Sequence, residues 1–356
     1  MLRRFFLFYL ILFLCACVQK QDTLVFKLPV FPETKQITVT PFPDDFLIGG
    51  SFLMENMGDY IVIGSYLDNS YLHIFEKGKL TYLKSFASLG QGPGEFNSPP
   101  MIRLNESKSV LYAMNRYGGI TEYFIYDVES ILQDNRGFPR EVFFELFCDE
   151  GEQYPGTVAD FLAWKDKLLF VRSRMYRFEV QDTLGNTLSL YNTYPAIRST
   201  DTLAFQRTYQ RSSIALKPDM SKFVLASGIG CIMEIFTVDA SGKIEKEIEK
   251  RFIPPIFKVT RSGLIEHISG KTISGISRLS VTDEFIYAGY NGEIWIPEVS
   301  GGFPKTIAVF DWSGNPIRQY ILDWTFYDFI IDAQRNRCYL VGKDANYEVL
   351  LGYFEL

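Results

Sequence analysis

Tyr60-Ile61-Val62-Ile63-Gly64 is the first of six apolar pentads in this chain. The others are Val110-Leu111-Tyr112-Ala113-Met114, Leu168-Leu169-Phe170-Val171-Arg172, Phe223-Val224-Leu225-Ala226-Ser227, Phe285-Ile286-Tyr287-Ala288-Gly289 and Cys338-Tyr339-Leu340-Val341-Gly342. Their starts lie 50, 58, 55, 62 and 53 residues apart. Self-similarity at this interval points to a toroidal array of small sheets rather than one sandwich. A second apolar stretch precedes each pentad across a tight turn. Examples are Phe161-Leu162-Ala163-Trp164 before Lys165-Asp166-Lys167, and Arg278-Leu279-Ser280-Val281 before Thr282-Asp283. Short runs bounded by Asp, Asn, Gly and Pro are hairpin signals. They give strands A and B of each repeat.

A second hairpin follows the first. Its clearest copy runs from Ile307 to Tyr320 around Ser313-Gly314, and a counterpart runs from Glu234 to Ile244 around Ser241-Gly242. Apolar residues alternate along both, and glycine supplies the positive φ that the turn requires. Four antiparallel strands per repeat make a propeller blade. The expected fold is all-β, a six-bladed β-propeller with four strands per blade. The sixth repeat offers strand C at Glu348 to Phe354 and no strand D. Closing the ring to remove its sheet edges therefore calls for an N-terminal strand, either Leu24 to Leu28 or Gln36 to Thr40.

The N-terminus reads as a targeting segment. Arg3 and Arg4 precede an uninterrupted apolar run from Phe5 to Leu14, too short to span a bilayer as a helix. It leads into Leu14-Cys15-Ala16-Cys17, which resembles the bacterial lipobox. That resemblance implies a signal peptide over 1–16, lipid attachment at Cys17, a linker over 17–23 and the propeller over 24–356. The alternative is an ordinary cleaved signal peptide. A lipid anchor tethers a soluble domain to a membrane without spanning it, so the expected place is the bacterial envelope, at the outer membrane, on a side left open. Losing Arg3 and Arg4 takes the formal charge from −6 to −8. An acidic exported chain lacks the basic face that phosphate neutralisation needs, which argues against nucleic acid as a partner.

The segment Leu89-Gly90-Gln91-Gly92-Pro93-Gly94-Glu95-Phe96-Asn97-Ser98-Pro99 is similar to the G-x-G-P-G-x-F-x-x-P connector of NHL-type propellers. Together with the apolar-Phe-Asp-x-x-Gly hairpin and the lipobox, the chain resembles the TolB-like or NHL-like six-bladed β-propeller lipoproteins of Bacteroidota. The resemblance spans nearly the whole mature chain and implies fold and location. It does not imply an activity.

Signatures of catalysis are missing from the sequence. The only histidines, His73 and His267, have no metal-ligand spacing, and no G-x-S-x-G elbow occurs. Gly90-x-Gly92-x-Gly94 precedes a strand rather than a helix, so it reads as an inter-blade connector with Phe96 packed between blades. Ile265 stands where a P-loop ending at Gly270-Lys271-Thr272 needs its first glycine. No cofactor and no metal is expected. Three cysteines follow Cys17, and a Cys148–Cys231 disulfide is one option.

Antiparallel strands put the D–A and B–C connections at one end of each blade and the A–B and C–D turns at the other. The long segments 134–159, 192–212, 250–274 and 290–304 fall at the first end, where binding sites usually sit. One carries Glu141, Glu145, Asp149, Glu150 and Glu152; the next carries Arg198, Arg207 and Arg211, near Arg172 and Arg174. Arg172, Arg174, Arg207 and Arg211 either grip a carboxylate or phosphate by bidentate hydrogen bonds or pair with the acidic segment and hold the rim together. Tyr191, Tyr194, Tyr209, Tyr290 and Trp295 map to the same end, with Tyr209 and Trp295 the aromatic candidates for contact with a ligand. The expected function is a non-enzymatic binding module for a glycan, peptide or protein partner. The alternative is a calcium-dependent propeller hydrolase or lactonase, with Asn115, Asn291, Asp344 and Asn346 as candidate oxygen ligands.

Overall fold

A computed structural model of the chain describes residues 29–43, 49–50, 52–92, 94–105, 107–117, 120–133, 139–144, 158–172, 176–195, 212–239, 243–259, 265–267, 271–294 and 303–356. It is a six-bladed propeller. Blade one comprises Leu53–Met57, Tyr60–Leu67, Ser70–Glu76 and Thr81–Ser88. Blade two comprises Met101–Leu104, Val110–Tyr117, Ile120–Asp127 and Arg140–Phe144, and blade three Val158–Trp164, Lys167–Arg172, Phe178–Asp182 and Thr187–Tyr191. Blade four comprises Ser212–Leu216, Lys222–Ser227, Cys231–Val238 and Ile244–Ile253. Blade five comprises Ile276–Val281, Phe285–Tyr290, Thr306–Asp311 and Pro316–Leu322, and blade six Thr325–Asp332, Arg337–Lys343 and Val349–Glu355.

The pentads are the B strands, and their unbroken apolar character has a packing cause. A B strand lies inside its blade, with a neighbouring blade on each face, so both sets of side chains are buried. In Tyr60–Leu67, Val62 packs with blade two, whereas Ile61 and Ile63 pack with blade six. In Lys222–Ser227, Val224 and Ala226 face blade five, and Phe223 and Leu225 face blade three. Period-two alternation thus divides each pentad between two interfaces. Each of the six apolar clusters occupies one blade junction.

The connector 89–99 behaves as its sequence suggests. Leu89 bridges Phe96, the Glu95 carboxylate accepts from Gly92 N at 2.8 Å, and Phe96 is fully buried with its ring 4.6 Å from Phe124 of blade two. Between blades four and five, the connection is laced by backbone hydrogen bonds. Gly230 N donates to Ile273 O at 2.8 Å and Gly275 N to Gly228 O at 3.0 Å. A Cβ on Gly275 would run into the Gly230 carbonyl, so only glycine allows that approach.

Ring closure uses the N-terminal segment twice. Glu33–Ile37 lies parallel to Pro316–Leu322 as a fifth strand on blade five. Thr40–Pro41 then pairs antiparallel with Val349–Glu355 and supplies the missing D strand of blade six. The crossing is fixed at Asp323, whose carboxylate accepts from Val39 N at 3.0 Å while its own N–H donates to Ile37 O at 3.1 Å. The single strand expected over Gln36 to Thr40 is therefore split between two blades. Leu24 to Leu28 lies outside the described residues.

Two segments expected to be long connections contain regular structure. Arg140–Phe144 pairs with Ile120–Asp127 as the D strand of blade two, after a short helix over Val128–Gln133, so Glu141 belongs to a strand. Ile244–Ile253 extends into the 250–274 segment, which also holds a small hairpin of Phe257–Val259 and Ile265–His267. Cys231 and Cys338 are buried free thiols, with burial pushing Cys231 up to about 12, and Cys148, the other half of the optional Cys148–Cys231 disulfide, lies outside the described residues.

Phe42 anchors the closing segment, buried against Tyr339 and Tyr353 at ring separations of 6.2 and 6.3 Å. Phe42→Ala should lower stability by about 3 kcal/mol, read by urea unfolding. Deleting residues 29–42 should expose two sheet edges and produce oligomers in light scattering. A deletion variant that stays monomeric and melts like the parent would show that closure does not depend on this segment.

Candidate functional site

The A strands face a central channel of about 950 Å³. Their channel-side edges carry backbone N–H and C=O groups with no further strand to pair with. Side chains from neighbouring blades satisfy many of them, and every junction is bridged. Between blades one and two, Arg103 Nη1 binds Glu55 Oε1 at 2.9 Å. Between two and three, Arg103 Nε donates to Phe161 O at 3.0 Å, and Nη2 binds Asp160. Asp160 Oδ2 accepts from Ile214 N of blade four at 3.4 Å. Ser213 Oγ donates to Ser277 O at 2.7 Å between four and five, and Ile331 N donates to Ser280 Oγ at 2.9 Å between five and six. Asp328 Oδ2 accepts from Met54 N at 2.9 Å between six and one, where Asn56 Nδ2 also donates to Ile331 O at 3.1 Å.

The six–one seam carries a further clasp. The buried Lys77 ammonium donates to Asn56 Oδ1 at 2.6 Å, Gly58 O at 2.7 Å and Asp332 Oδ2 at 2.8 Å. Burial raises the Asp332 carboxyl, but hydrogen bonds from Lys77 and Arg335 outweigh it and hold the group below its ordinary range.

Three charged residues of the channel wall, Asp160, Arg278 and Asp328, sit where the backbone departs from regular pairing. Bulges fall between Val158 and Asp160, between Ile276 and Arg278, and between Phe326 and Asp328. A bulge re-aims the side chain beside it. Glu55, Arg103, Asp160, Arg278 and Asp328 all line the channel. Asp160 and Asp328 are committed on both oxygens, since Oδ1 of each also accepts the N–H of the following residue at 2.8 Å.

Glu55 and Arg278 keep capacity toward the lumen. Glu55 is bound through Oε1 alone among the described residues. Burial pushes its carboxyl up to about 7, against the pull of Arg103 and with the help of the Asp328 and Asp160 charges. The Arg278 side chain is 35% exposed and lies 3.5 Å from Asp328 through Nε. Its Nη1 donates to Ser277 O at 3.0 Å, and among the described residues its other terminal N–H groups are uncommitted.

The residues expected to form an arginine rim are not assembled into a site by what the structure describes. Arg172 is bound to Glu179 of its own blade and its side chain is 13% exposed. Arg174, Arg207, Arg211, Tyr209, Trp295 and Cys17 lie outside the described residues, as do Glu145, Asp149, Glu150 and Glu152. Arg177, unflagged in the sequence, is buried and bidentate to Glu234 of blade four, with Nη1 to Oε1 at 3.0 Å and the Tyr194 ring 5.2 Å from the guanidinium. Tyr290 is buried in the blade four–five interface. Tyr194 and Tyr290, both mapped to this end from the sequence, are thus packing groups. Exposed aromatics at this end, among the described residues, are Tyr66 (43%), Tyr176 (38%), Tyr347 (81%) and Phe303, whose ring lies 4.1 Å from Tyr327.

Of the four candidate calcium ligands, Asn291 alone lines the channel. Asp344 accepts from Asn346 N and Glu348 N, both at 2.9 Å, within one turn, and Asn115 is buried and donates to Glu122 at 3.1 Å. Among the described residues, no group of three or more His, Cys, Asp or Glu is placed to hold a metal ion.

Residues 30–334 match the profile of a family described as TolB-like 6-blade propeller-like. No curated protein matches the chain. Among solved structures, a Bacteroides fragilis protein named as an inferred exported protein superposes with a TM-score of 0.54 at 12% identity, covering 91% of this chain and 99% of that one. A Bacteroides thetaiotaomicron protein of unknown function gives 0.49 at 10% identity, covering 91% and 74%. A Lactobacillus plantarum protein gives 0.47 at 14%, covering 87% and 91%. At such identities the likeness is one of fold.

The raised Glu55 carboxyl has a stability consequence of definite sign. The folded protein holds this proton up to about pH 7 against an ordinary value of 4.5, so ionising Glu55 opposes folding. The penalty is absent below the ordinary value, grows as pH rises, and is complete above about 7. Glu55→Gln keeps an acceptor for Arg103 and removes the charge. Its stability relative to the parent should be about 1–2 kcal/mol more favourable at pH 8 than at pH 4.5, by calorimetry. A difference independent of pH would show that Glu55 ionises in the channel without penalty.

Proposed function

The chain belongs to the TolB-like six-bladed propeller family, and from that premise we propose that it is an envelope-tethered binding module whose channel receives its ligand. The supporting observation is the lumen-facing Arg278 guanidinium, whose terminal N–H groups are largely uncommitted in a cavity of about 950 Å³. A guanidinium in a confined cavity recognises a carboxylate or phosphate through paired N–H donors. The cavity lies within the range that encloses small polar molecules or the tip of a partner's side chain. Exposed Tyr66, Tyr347 and Phe303 at the D–A and B–C end offer a rim on which a larger glycan or peptide would rest.

Binding is favoured over catalysis by the state of the channel carboxylates. A general base needs an accessible, uncommitted oxygen. Asp160 and Asp328 hold backbone N–H groups on both oxygens, so of these three carboxylates Glu55 alone keeps a free oxygen, and paired acid–base work lacks its second carboxylate.

The proposed location is the bacterial envelope, with a lipid on Cys17 as the tether and the outer membrane as the destination. The lipobox-like Leu14-Cys15-Ala16-Cys17 supports this. Among the described residues, no helix is long and apolar enough to cross a membrane.

Two experiments test the two halves. Cys17→Ser should move the protein from the membrane to the soluble fraction; a variant that pellets like the parent would sink the lipid tether. Separately, the protein incubated with small molecules from an envelope extract should carry an adduct in native mass spectrometry. Leu279→Trp, which enlarges a half-buried side chain of the channel wall, should lose that adduct while melting within about 3 °C of the parent. Retention of the adduct by this variant would place binding outside the channel.

A further inference from the structure

Two groups of opposite charge face the channel with hydrogen-bonding capacity left over, and they stand on either side of one blade. Arg278 belongs to the A strand of blade five and Glu55 to that of blade one. Between them is Asp328 of blade six, 3.5 Å from Arg278 Nε on one side and accepting from Met54 N, next to Glu55, at 2.9 Å on the other. Asp328 is fully engaged by backbone, so it fixes the spacing of its neighbours without competing for a ligand. Arg103, the other guanidinium of the wall, is occupied by Glu55, Asp160 and two carbonyls.

We propose that the channel ligand is a zwitterion, a molecule carrying both a carboxylate and an ammonium group, with its carboxylate on Arg278 and its ammonium on Glu55. This inference rests on the channel being the binding site. The Arg278 terminal nitrogens offer an end-on pair of donors, the geometry that suits a carboxylate. Glu55 Oε2 accepts from an ammonium, which donates three hydrogen bonds and accepts none. A ligand with a carboxylate alone leaves Glu55 with a partly desolvated oxygen. A ligand with an ammonium alone leaves the Arg278 terminal nitrogens without an anion, since Asp328 approaches at Nε. Either half-match forfeits a charge-assisted pair that a zwitterion makes. Arg103, Lys108, Lys217, Asp160, Asp283 and Asp332 also carry charge on the wall. Lys217 is paired to Asp219, Asp332 to Lys77, and Asp160 to Arg103.

Short peptides with free ends and amino-sugar acids share this chemistry, and the probes separate them. An equimolar dipeptide library with free termini, the same library N-acetylated, the same library C-amidated, and muramic acid are each incubated with the full chain and read by native mass spectrometry. The free-ended library or muramic acid, whichever source is correct, should give an adduct, and both blocked libraries should bind at least tenfold more weakly. Arg278→Gln should abolish the preference for a free carboxylate, and Glu55→Gln the preference for a free ammonium; thermal melting confirms that both variants fold. Blocked peptides that bind as tightly as free ones, with the adduct still lost in Leu279→Trp, would overturn the zwitterion and leave the channel reading standing. No adduct with any of these probes, alongside a channel adduct from envelope extract, would also overturn it. Failure of the extract adduct to depend on Leu279 would instead remove the channel reading on which the inference rests.

Discussion

Everything in this molecule depends on how six sheets present their innermost edges to a shared channel. A strand edge without a partner exposes unpaired N–H and C=O groups, and a buried unpaired group carries a penalty of roughly 1–3 kcal/mol. The chain meets this with side chains that reach across the junctions: Arg103, Asp160, Ser213, Ser280, Asp328 and Asn56. Apolar packing holds each pair of blades face to face, but it is non-directional and sets no axial register. The polar bridges do, because a hydrogen bond to a given backbone atom is made in one register only. The ring is therefore cemented by greasy interfaces and indexed by its channel wall.

That arrangement explains which parts were legible in the sequence. The B strands are buried on both faces, so Tyr60 to Gly64 and its five counterparts stand out as unbroken apolar runs. The need for an N-terminal closing strand was legible too, because the sixth repeat lacks a D strand. Its division between blades was not. Residues 33–37 carry Glu, Thr, Lys and Gln and join blade five through a backbone ladder with scattered polar side-chain contacts, which leaves no apolar alternation to read. The D strand of blade two was hidden for a different reason: the helix Val128–Gln133 separates it from strand C, where a tight turn would have announced a hairpin.

The channel was the least legible part, although a signal was present. Glu55, Arg103, Asp160, Arg278 and Asp328 are charges set inside the otherwise apolar first strand of a repeat. A charge in that position is costly unless it meets a partner, so its recurrence in five of the six repeats marks a shared polar interior. Attention to long loops led instead to Arg172, whose Glu179 partner lies seven residues further along the same blade. Loop arginines are numerous and find carboxylates readily. Charges in a central wall are few and each must be accounted for.

The same accounting gives the channel its asymmetry. Arg103 and Asp160 of blades two and three are fully engaged by their neighbours, whereas Arg278 of blade five and Glu55 of blade one are only partly engaged. Blades five and six follow directly along the chain across residues 323–324, whereas blades six and one meet only where the ring closes. The N-terminal segment spans five and six, and the Lys77–Asp332 clasp with Asp328 secures six against one. A ligand held between Arg278 and Glu55 would cross this seam from inside the ring, as the N-terminal segment crosses part of it from outside. Binding to the closed ring and not to an opened one adds to closure by the full linkage term, about 2.7 kcal/mol at a hundredfold excess over Kd. The uncommitted pair then lies where its engagement acts most directly on the integrity of the fold, because opening at the six–one seam is the motion that would separate Glu55 from Arg278.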